Sequence, residues 1–288
     1  MSDEKNPFPN EGNTGHIWDE NLRELTNPPP KWWLYGLHAS WIVVVLYTII
    51  YPSWPLLTTH TKGIMGWTAI NEYKEDMQEI EAIRGQYEEQ LAALTANEIL
   101  ENDELKSYTI KSAKVLFGDN CAACHGSGGA GNPGYPVLAD DDWLFGGNID
   151  TIVQSISYGR QGNMPAHTGT LTDQEISDVA QHVVAMSKGE EHAAGKAIFT
   201  GKGACFACHG MYGKGNHLMG SANLTDPIWR FGDGSVESVV YTIAYGVNDP
   251  RYPNETLNAV MPAFGGTKLS DHDIKKLAVY VHQFGGGQ

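Results

Sequence analysis

The stretches that decide the fold are two short motifs, Cys121-Ala-Ala-Cys124-His125 and Cys205-Phe-Ala-Cys208-His209. Together they use all four cysteines of the 288-residue chain. Cys-x-x-Cys-His is the attachment signature of c-type haem. The two thiols add across the two vinyl groups of one haem, and the adjacent histidine becomes the proximal ligand of its iron. The sequence therefore predicts two covalently attached haem c groups.

Zinc binding and thiol redox chemistry are the competing interpretations of these cysteines. Two Cys-x-x-Cys pairs are able to build a zinc site, and one such pair beside a βαβ pattern is typical of thiol redox proteins. Neither accounts for a histidine directly after both pairs. Paired carboxylates, a nucleophile triad and a phosphate-binding loop are not recognisable in the sequence. We therefore predict no catalytic residues and no nucleic-acid partner.

A methionine follows each motif in the same tripeptide, Met164-Pro165-Ala166 and Met261-Pro262-Ala263. A thioether is a soft ligand that suits haem iron, and His/Met ligation is typical of electron-transfer cytochromes c. Met164 and Met261 are therefore the predicted second axial ligands. Simple packing in the core is the alternative for both, and Met219 is an alternative to Met261 at the second haem.

The two motifs head two similar repeats. Each continues through a tryptophan, a Phe-Gly pair, a Tyr-Gly pair and the Met-Pro pair. Each closes with an apolar-faced helix that begins at a capping box, Thr172 to Glu175 in the first repeat and Ser270 to Asp273 in the second. Short helices are predicted before the motifs, at residues 111–117 and 195–200. Trp143, Trp229 and Arg160 are candidates for lining haem edges or propionates.

This order of elements resembles the class I cytochrome c fold. The predicted fold class is all-α, with one N-terminal transmembrane helix followed by two tandem cytochrome c domains, residues 108–189 and 190–288. Most of the extra length of the second repeat falls in residues 247–258, which we interpret as a loop.

Residues 32–57 contain no Asp, Glu, Lys or Arg, which makes them long enough to span a bilayer. Aromatic residues flank this stretch as in a membrane-interface belt: Trp32, Trp33, Tyr35, Tyr51 and Trp54. A cleavable signal peptide is the alternative, but about thirty residues precede the apolar run. We predict a single-pass anchor.

Haem attachment to such motifs takes place on the periplasmic side of bacteria. Residues 1–31 are therefore expected in the cytoplasm and residues 58–288 in the periplasm, anchored to the inner membrane. Residues 58–107 are predicted to form an acidic helical stalk, because residues 71–106 carry eleven acidic and three basic side chains. The acidic surface is either merely solvated or attracts a basic electron donor.

The N-terminal segment carries the most specific pattern, Gly15-His16-Ile17-Trp18-Asp19 followed by Asn27-Pro28-Pro29-Pro30-Lys31-Trp32-Trp33. With Tyr51-Pro52-Ser53-Trp54-Pro55 and both haem motifs, it resembles the CcoP/FixP family over nearly the whole chain. That family is the dihaem subunit of cbb3-type cytochrome c oxidase.

The resemblance implies a membrane-anchored relay that carries electrons from a soluble cytochrome c toward a catalytic subunit with b-type haems and copper. A monohaem cytochrome c subunit is a further implied partner. The implied haem ligands are Cys121, Cys124, His125, Met164, Cys205, Cys208, His209 and Met261. An independent carrier, the cytochrome subunit of a periplasmic dehydrogenase, and a haem-based gas sensor or peroxidase are the alternative functions.

Overall fold

A computed structural model describes residues 7–287 and shows a mainly helical chain, as predicted. The chain forms two compact units, Met1–Ile83 and Arg84–Gln288. Both haem motifs lie in the second unit.

The first unit opens with a β-hairpin that the sequence analysis did not predict. Strand β1 (Asn13–Trp18) pairs with antiparallel strand β2 (Leu22–Leu25). The turn between them places Asp19 and Glu20 at φ values of 48° and 69°. Left-handed residues of this kind let a short turn follow the twist of its two strands.

The predicted membrane anchor is helix α1, which runs over Lys31–Ile50 and is exposed along its length. Twenty residues at about 1.5 Å each match the roughly 30 Å of a bilayer core. The helix ends before the predicted boundary at residue 57, and Pro52 follows shortly after its end. The carbonyls of Ile49 and Ile50 accept hydrogen bonds from the backbone N–H groups of Ile64 and Met65. The end of the helix is thus capped by chain that folds back onto it.

The acidic segment forms helix α2 (Ala69–Ala93), which is followed by α3 (Ala96–Glu101) and α4 (Asp103–Asn120). Ile80 and Ile83 are exposed, whereas Leu91 is buried. The short helix predicted at residues 111–117 is part of the longer α4. Its start is fixed by Asn102, whose side chain accepts hydrogen bonds from the N–H groups of Glu104 and Leu105.

The remaining elements recur in the same order in the two repeats, and they include in each repeat a helix and a short strand between the motif and the closing helix that the sequence analysis did not predict. They are α5 (Ala122–His125), α6 (Ile149–Tyr158), β3 (Arg160–Gln161), α7 (Asp173–Met186), α8 (Ala193–Thr200), α9 (Phe206–His209), α10 (Val236–Tyr245), β4 (Val260–Met261) and α11 (Asp271–His282). Both predicted capping boxes are confirmed, at the starts of α7 and α11.

The hydrophobic residues of the second unit form two cores, and each core takes its closing helix from the other repeat. The first core packs α3, α4 and α6 against α11, and the second packs α7 against α8 and α10. The six residues between α7 and α8 allow the two helices to lie side by side. Neither core is therefore built from only one of the two repeats at residues 108–189 and 190–288. The first core buries Leu91, Ala96, Ile99, Leu105, Ala113, Phe117, Ile149, Ile152, Ile156, Leu269, Ile274, Leu277, Ala278, Val279, Tyr280 and Val281. The second buries Leu171, Ile176, Val179, Ala180, Val183, Phe199, Val239 and Ile243.

A polar network joins the end of α2 to α11. The carboxylate of Glu88 accepts hydrogen bonds from Tyr108, His272 and the nearly buried Lys276. Burial alone would raise the pKa of Glu88, but these three donors bring it down to about 2. The adjacent Lys275 donates to the carbonyls of Leu91, Ala92 and Leu94 at the end of α2.

Candidate haem-binding sites

Each Cys-x-x-Cys-His motif folds into a single helical turn, α5 and α9. All four cysteines are free thiols of intermediate burial. Burial raises the pKa of Cys121 and of Cys205 to about 11, so both remain protonated at neutral pH. Zinc ligands and reactive redox cysteines are thiolates, usually with a depressed pKa. Among residues 7–287, no three His, Cys, Asp or Glu side chains converge on a possible metal position. Neither the raised thiol pKa values nor the placement of the described side chains favours a zinc site or a reactive redox pair.

The two motif histidines are oriented in the same way. Nδ1 of His125 lies 3.0 Å from the carbonyl oxygen of Pro136, and Nδ1 of His209 lies 2.9 Å from that of Ala222. A carbonyl only accepts, so Nδ1 must donate, which leaves Nε2 of the neutral ring with a free lone pair. Burial lowers the pKa of both histidines and favours this neutral form. Both rings are thus prepared to bind iron through Nε2.

The second motif opens into a cavity of about 400 Å³. Cys205, Cys208 and His209 line it together with Met164 from the first repeat. Much of its wall is apolar and comes from the second core, with Val179, Val183, Phe199, Val239 and Ile243. A mostly apolar cavity with a few polar groups is what a large planar cofactor requires. Met219 lines the same cavity, although it is half exposed.

The other predicted ligand, Met261, packs against the first core, as do Cys121 and Ala122 of the first motif. Two matching backbone contacts hold the methionine segments in place. Gly159, at φ 71°, lies so close to the carbonyl of Met261 that a Cβ would overlap it. Gly246, at φ 69°, approaches the carbonyl of Met164 in the same way. Each Tyr-Gly pair thus supports the methionine of the other repeat, and only glycine fits at these two positions.

Two short antiparallel pairings complete this crossing. Strand β3 pairs with β4, with Arg160 opposite Met261. Met164 and Val247 exchange two backbone hydrogen bonds of 3.0 and 2.8 Å. The structure therefore brings Met164 to the motif of the second repeat and Met261 to the core that holds the motif of the first.

Comparison with known proteins matches this arrangement to one family over most of the chain. Residues 109–183 and 190–281 match a family model described as cytochrome c oxidase, cbb3-type, subunit III. Residues 10–58, with the hairpin and α1, match the N-terminal domain of cytochrome oxidase-cbb3, FixP. The chain belongs to the FixP/CcoP family. Membership implies that it binds haem c and that it is a subunit of a cbb3-type oxidase, and α1 is long and apolar enough to be its membrane anchor.

Curated relatives share nearly the full length of this FixP/CcoP member. The cbb3-type cytochrome c oxidase subunit FixP of Azorhizobium caulinodans is 41% identical over 96% of this chain and 93% of its own length. FixP of Bradyrhizobium diazoefficiens is 39% identical over 96% and 95%. Subunit CcoP of Cereibacter sphaeroides is 35% identical over the same shares, 96% and 95%.

The aromatic and arginine candidates of this FixP/CcoP member differ in their placement. Trp229 lines the second cavity. Trp143 packs against the first core, and its indole N–H is buried without a hydrogen-bond partner in the described structure. Arg160 donates to Ser155 and stacks over Phe145, with its guanidinium carbon 4.5 Å from the ring centre.

Arg230 is a residue that the sequence analysis missed. It lines the second cavity, and burial lowers its pKa. Its Nε donates to the carbonyl of Gly134 at 3.1 Å, and the N–H of Gly134 donates to the carbonyl of Arg230 at 3.1 Å. Comparison of the repeats holds a clue to it, because Arg230 stands where the first repeat has Leu144.

Acidic side chains also line the second cavity. Burial, helped by the nearby carboxylates of Asp226 and Asp140, raises the pKa of Asp142 to about 6. One oxygen of Asp226 is buried with no hydrogen-bond partner among the described residues. This edge of the cavity therefore resists carrying its full negative charge at neutral pH.

Proposed function

We propose that this chain is the membrane-anchored dihaem electron-transfer subunit of a cbb3-type oxidase. It takes electrons from a soluble cytochrome c and passes them toward a catalytic subunit with b-type haems and copper, beside a monohaem cytochrome c subunit. Haem c, when bound, supplies a one-electron couple at its iron. All other tasks fall to the chain, which attaches, orients and encloses the two groups.

The observation that carries this proposal is the contact between the two haem-binding regions. Pro136, whose carbonyl orients His125, also lines the cavity of His209. Paired hydrogen bonds between Gly134 and Arg230 hold the two regions together. Only a short stretch of protein then separates the two sites, as a relay between two redox groups requires.

For covalent attachment, the thiols of Cys121 and Cys124 would add to the two vinyl groups of one haem, and those of Cys205 and Cys208 to the vinyls of another. Each addition forms one carbon–sulfur bond, and the thiol hydrogen passes to the other vinyl carbon. No oxidant or reductant is needed. The raised pKa values of Cys121 and Cys205 keep these thiols protonated until they react.

For the axial ligands, the contacts support crossed pairs. His209 and Met164 line one cavity, and Met261 and Cys121 both pack against the first core. The proposed pairs are therefore His125 with Met261 and His209 with Met164. In this pairing Met219 is an alternative to Met164 and not to Met261, because Met219 and Met164 line the same cavity.

The crossed pairing is tested in a chain with only one haem. The Cys121→Ala/Cys124→Ala variant retains the haem at Cys205 and Cys208. In that background, Met164→Ala is expected to abolish the sulfur-to-iron absorption band of the oxidised protein, whereas Met261→Ala and Met219→Ala leave it in place. Loss of the band with Met261→Ala and its retention with Met164→Ala would show ligation within each repeat.

For its place in the cell, we propose that α1 spans the inner membrane, with residues 1–31 in the cytoplasm and residues 58–288 in the periplasm. The exposed surface of α1, which carries no charged residue after Lys31, supports a lipid contact. Covalent haem attachment supports the periplasmic side.

The function is tested by gentle detergent extraction of membranes and affinity capture of the tagged chain. Co-purified b-type haem, together with oxygen uptake driven by cytochrome c, is the expected result. An intact preparation with c-type haem alone and no oxygen uptake would identify a free-standing carrier. Carbon monoxide binding to the reduced wild-type chain alone would favour a sensor or peroxidase.

A further inference from the structure

The two repeats differ most in the segment between the Tyr-Gly pair and the methionine. Four residues separate Gly159 from Met164, and fourteen separate Gly246 from Met261. The additional chain at residues 247–258, which we call the insertion, begins where Val247 pairs with Met164. The insertion therefore lies against a methionine that belongs to the other repeat.

Two charged side chains of the insertion form hydrogen bonds to the backbone of Ala166, two residues after Met164. The carboxylate of Asp249 accepts a hydrogen bond of 2.7 Å from the N–H of Ala166. The guanidinium of Arg251 donates to the carbonyl of Ala166 at 2.8 Å and to Asp249 at 2.6 Å. Both backbone polar groups of Ala166 are thus held by one ion pair.

The carboxylate of this ion pair is buried and held by several hydrogen bonds. Asp249 is only 3% exposed. Its carboxylate also accepts from the N–H of Arg251 at 2.9 Å, and its own N–H donates to Thr256. Hydrogen bonds from Arg251 and from the N–H of Ala166 hold the pKa of Asp249 well below its usual range. Charge-assisted bonds of this kind are short and about twice as strong as neutral ones.

Neighbouring contacts hold the same segment on both sides of the methionine. The side-chain amide of Asn248 donates to the carbonyl of Gly162 at 2.6 Å. The hydroxyl of Tyr252 donates to the carbonyl of Thr168 at 3.3 Å. The chain that carries Met164 is therefore fixed before and after the sulfur-bearing residue.

Ala263, the equivalent residue after Met261, is not held by an ion pair of this kind in the described structure. Ala263 follows Met261 as Ala166 follows Met164, and its carbonyl accepts a longer bond of 3.4 Å from the exposed Thr267. Within residues 7–287, no carboxylate or guanidinium hydrogen-bonds to the backbone of Ala263. The two methionines are thus supported unequally.

We propose that Asp249 and Arg251 are positioning residues for Met164, which hold its thioether as the axial ligand at the site of His209. The inference rests on the proposed function, because it concerns a ligand of one proposed haem. The thioether of Met164 carries no charge, so its position relative to iron depends on how firmly the surrounding backbone is held. Replacing a group that orients a metal ligand commonly lowers metal affinity by roughly 10–100-fold.

The test uses the full-length, detergent-purified chain with both haems. In Asp249→Asn, an amide replaces the carboxylate that accepts from Ala166 and pairs with Arg251. We expect about half of the sulfur-to-iron band to disappear, one of two reduction potentials to fall, and carbon monoxide to bind about one haem per reduced chain. The potential that moves should be the one altered by Met164→Ala, and the one altered by Met261→Ala should stay unchanged.

The matched control is Glu191→Gln, which removes a carboxylate from an exposed pair with Lys196. It should leave the band and both potentials as in the wild type. If Asp249→Asn fails to retain two haems, Arg251→Met decides the question. The Arg251 side chain is half exposed, and its loss removes the bond to the Ala166 carbonyl. We expect the same changes there, with smaller amplitude.

The inference would be overturned if folded Asp249→Asn kept both reduction potentials and the full sulfur-to-iron band. Where Asp249→Asn does not fold, the same result in Arg251→Met would overturn it. Either result would leave the proposed function standing. A change confined to the potential that Met261→Ala alters would also overturn it. A wild-type chain with no sulfur-to-iron band would overturn the proposed ligation itself, and the inference with it.

Discussion

Backbone carbonyls orient both motif histidines in the same way, through a hydrogen bond from Nδ1 of each ring. His125 and His209 could be proposed as ligands from the motif alone. Their partners, Pro136 and Ala222, could not, because each belongs to a glycine-rich loop whose path depends on tertiary contacts. The motif thus predicts which residue is the iron ligand, and the loop determines which ring nitrogen is left with a free lone pair.

Asp142 gives a prediction at the same scale. Its pKa of about 6 lies above the ordinary value of 3.8, so the folded state binds more protons than the unfolded state between these two values. Stability therefore falls as pH rises through this range, and the penalty is fully present above about pH 6. We expect Asp142→Asn to stabilise the protein at pH 8 by about 1 kcal/mol, which allows for the partial exposure of the group.

Thermal unfolding followed by circular dichroism at several pH values measures this effect. The gain in melting temperature should shrink as the pH is lowered from 8 to 5. Asp141→Asn is the matched control at an exposed neighbouring position, and its pH trend should be much smaller, because Asp141 only adds to the raised pKa of Asp140. A gain in Asp142→Asn that does not depend on pH would contradict the assignment to a strained carboxylate.

At the scale of elements, local patterns predicted the two closing helices well and their packing partners poorly, and they missed α6 and α10. The capping boxes of α7 and α11 are confirmed because they depend on residues three positions apart. Ile176 in α7 and Ile274 in α11 are both buried, as their spacing predicts. The apolar faces of the two helices are alike, so the sequence could not show that each helix packs in the core of the other repeat.

The exchanged helices lead to a paired prediction. Ile176→Ala and Ile274→Ala delete equivalent side chains from the two cores, and each should cost about 2–5 kcal/mol. Hydrogen exchange should show where the loss falls. Ile274→Ala should speed exchange in α4 and α6, and Ile176→Ala should speed it in α8 and α10. The opposite pattern would mean that each helix closes its own repeat.

At the scale of the whole molecule, the dominant property is a net charge of −15. A negative surface attracts a basic partner, speeds the encounter and is screened by salt. We expect the second-order rate of reduction by a basic soluble cytochrome c to fall severalfold as ionic strength rises from 10 to 200 mM, on the order of the steering effects known for charged proteins.

Stopped-flow reduction of the purified chain measures this rate. An acidic cytochrome of similar potential is the control, and its rate should rise or stay level with added salt. A basic donor whose rate does not respond to salt would mean that the acidic residues are only a solvated surface.

The exchange of α7 and α11 also bears on how the protein is made. Two separate cytochromes that traded their last helices would form a domain-swapped dimer, and this chain has the connectivity of such a dimer fused end to end. The cysteines of the first repeat are synthesised well before α11, the helix that closes their core. The core of the first motif is therefore completed only after the second repeat has been made, and a chain that terminates before α11 leaves this core without the helix that buries it.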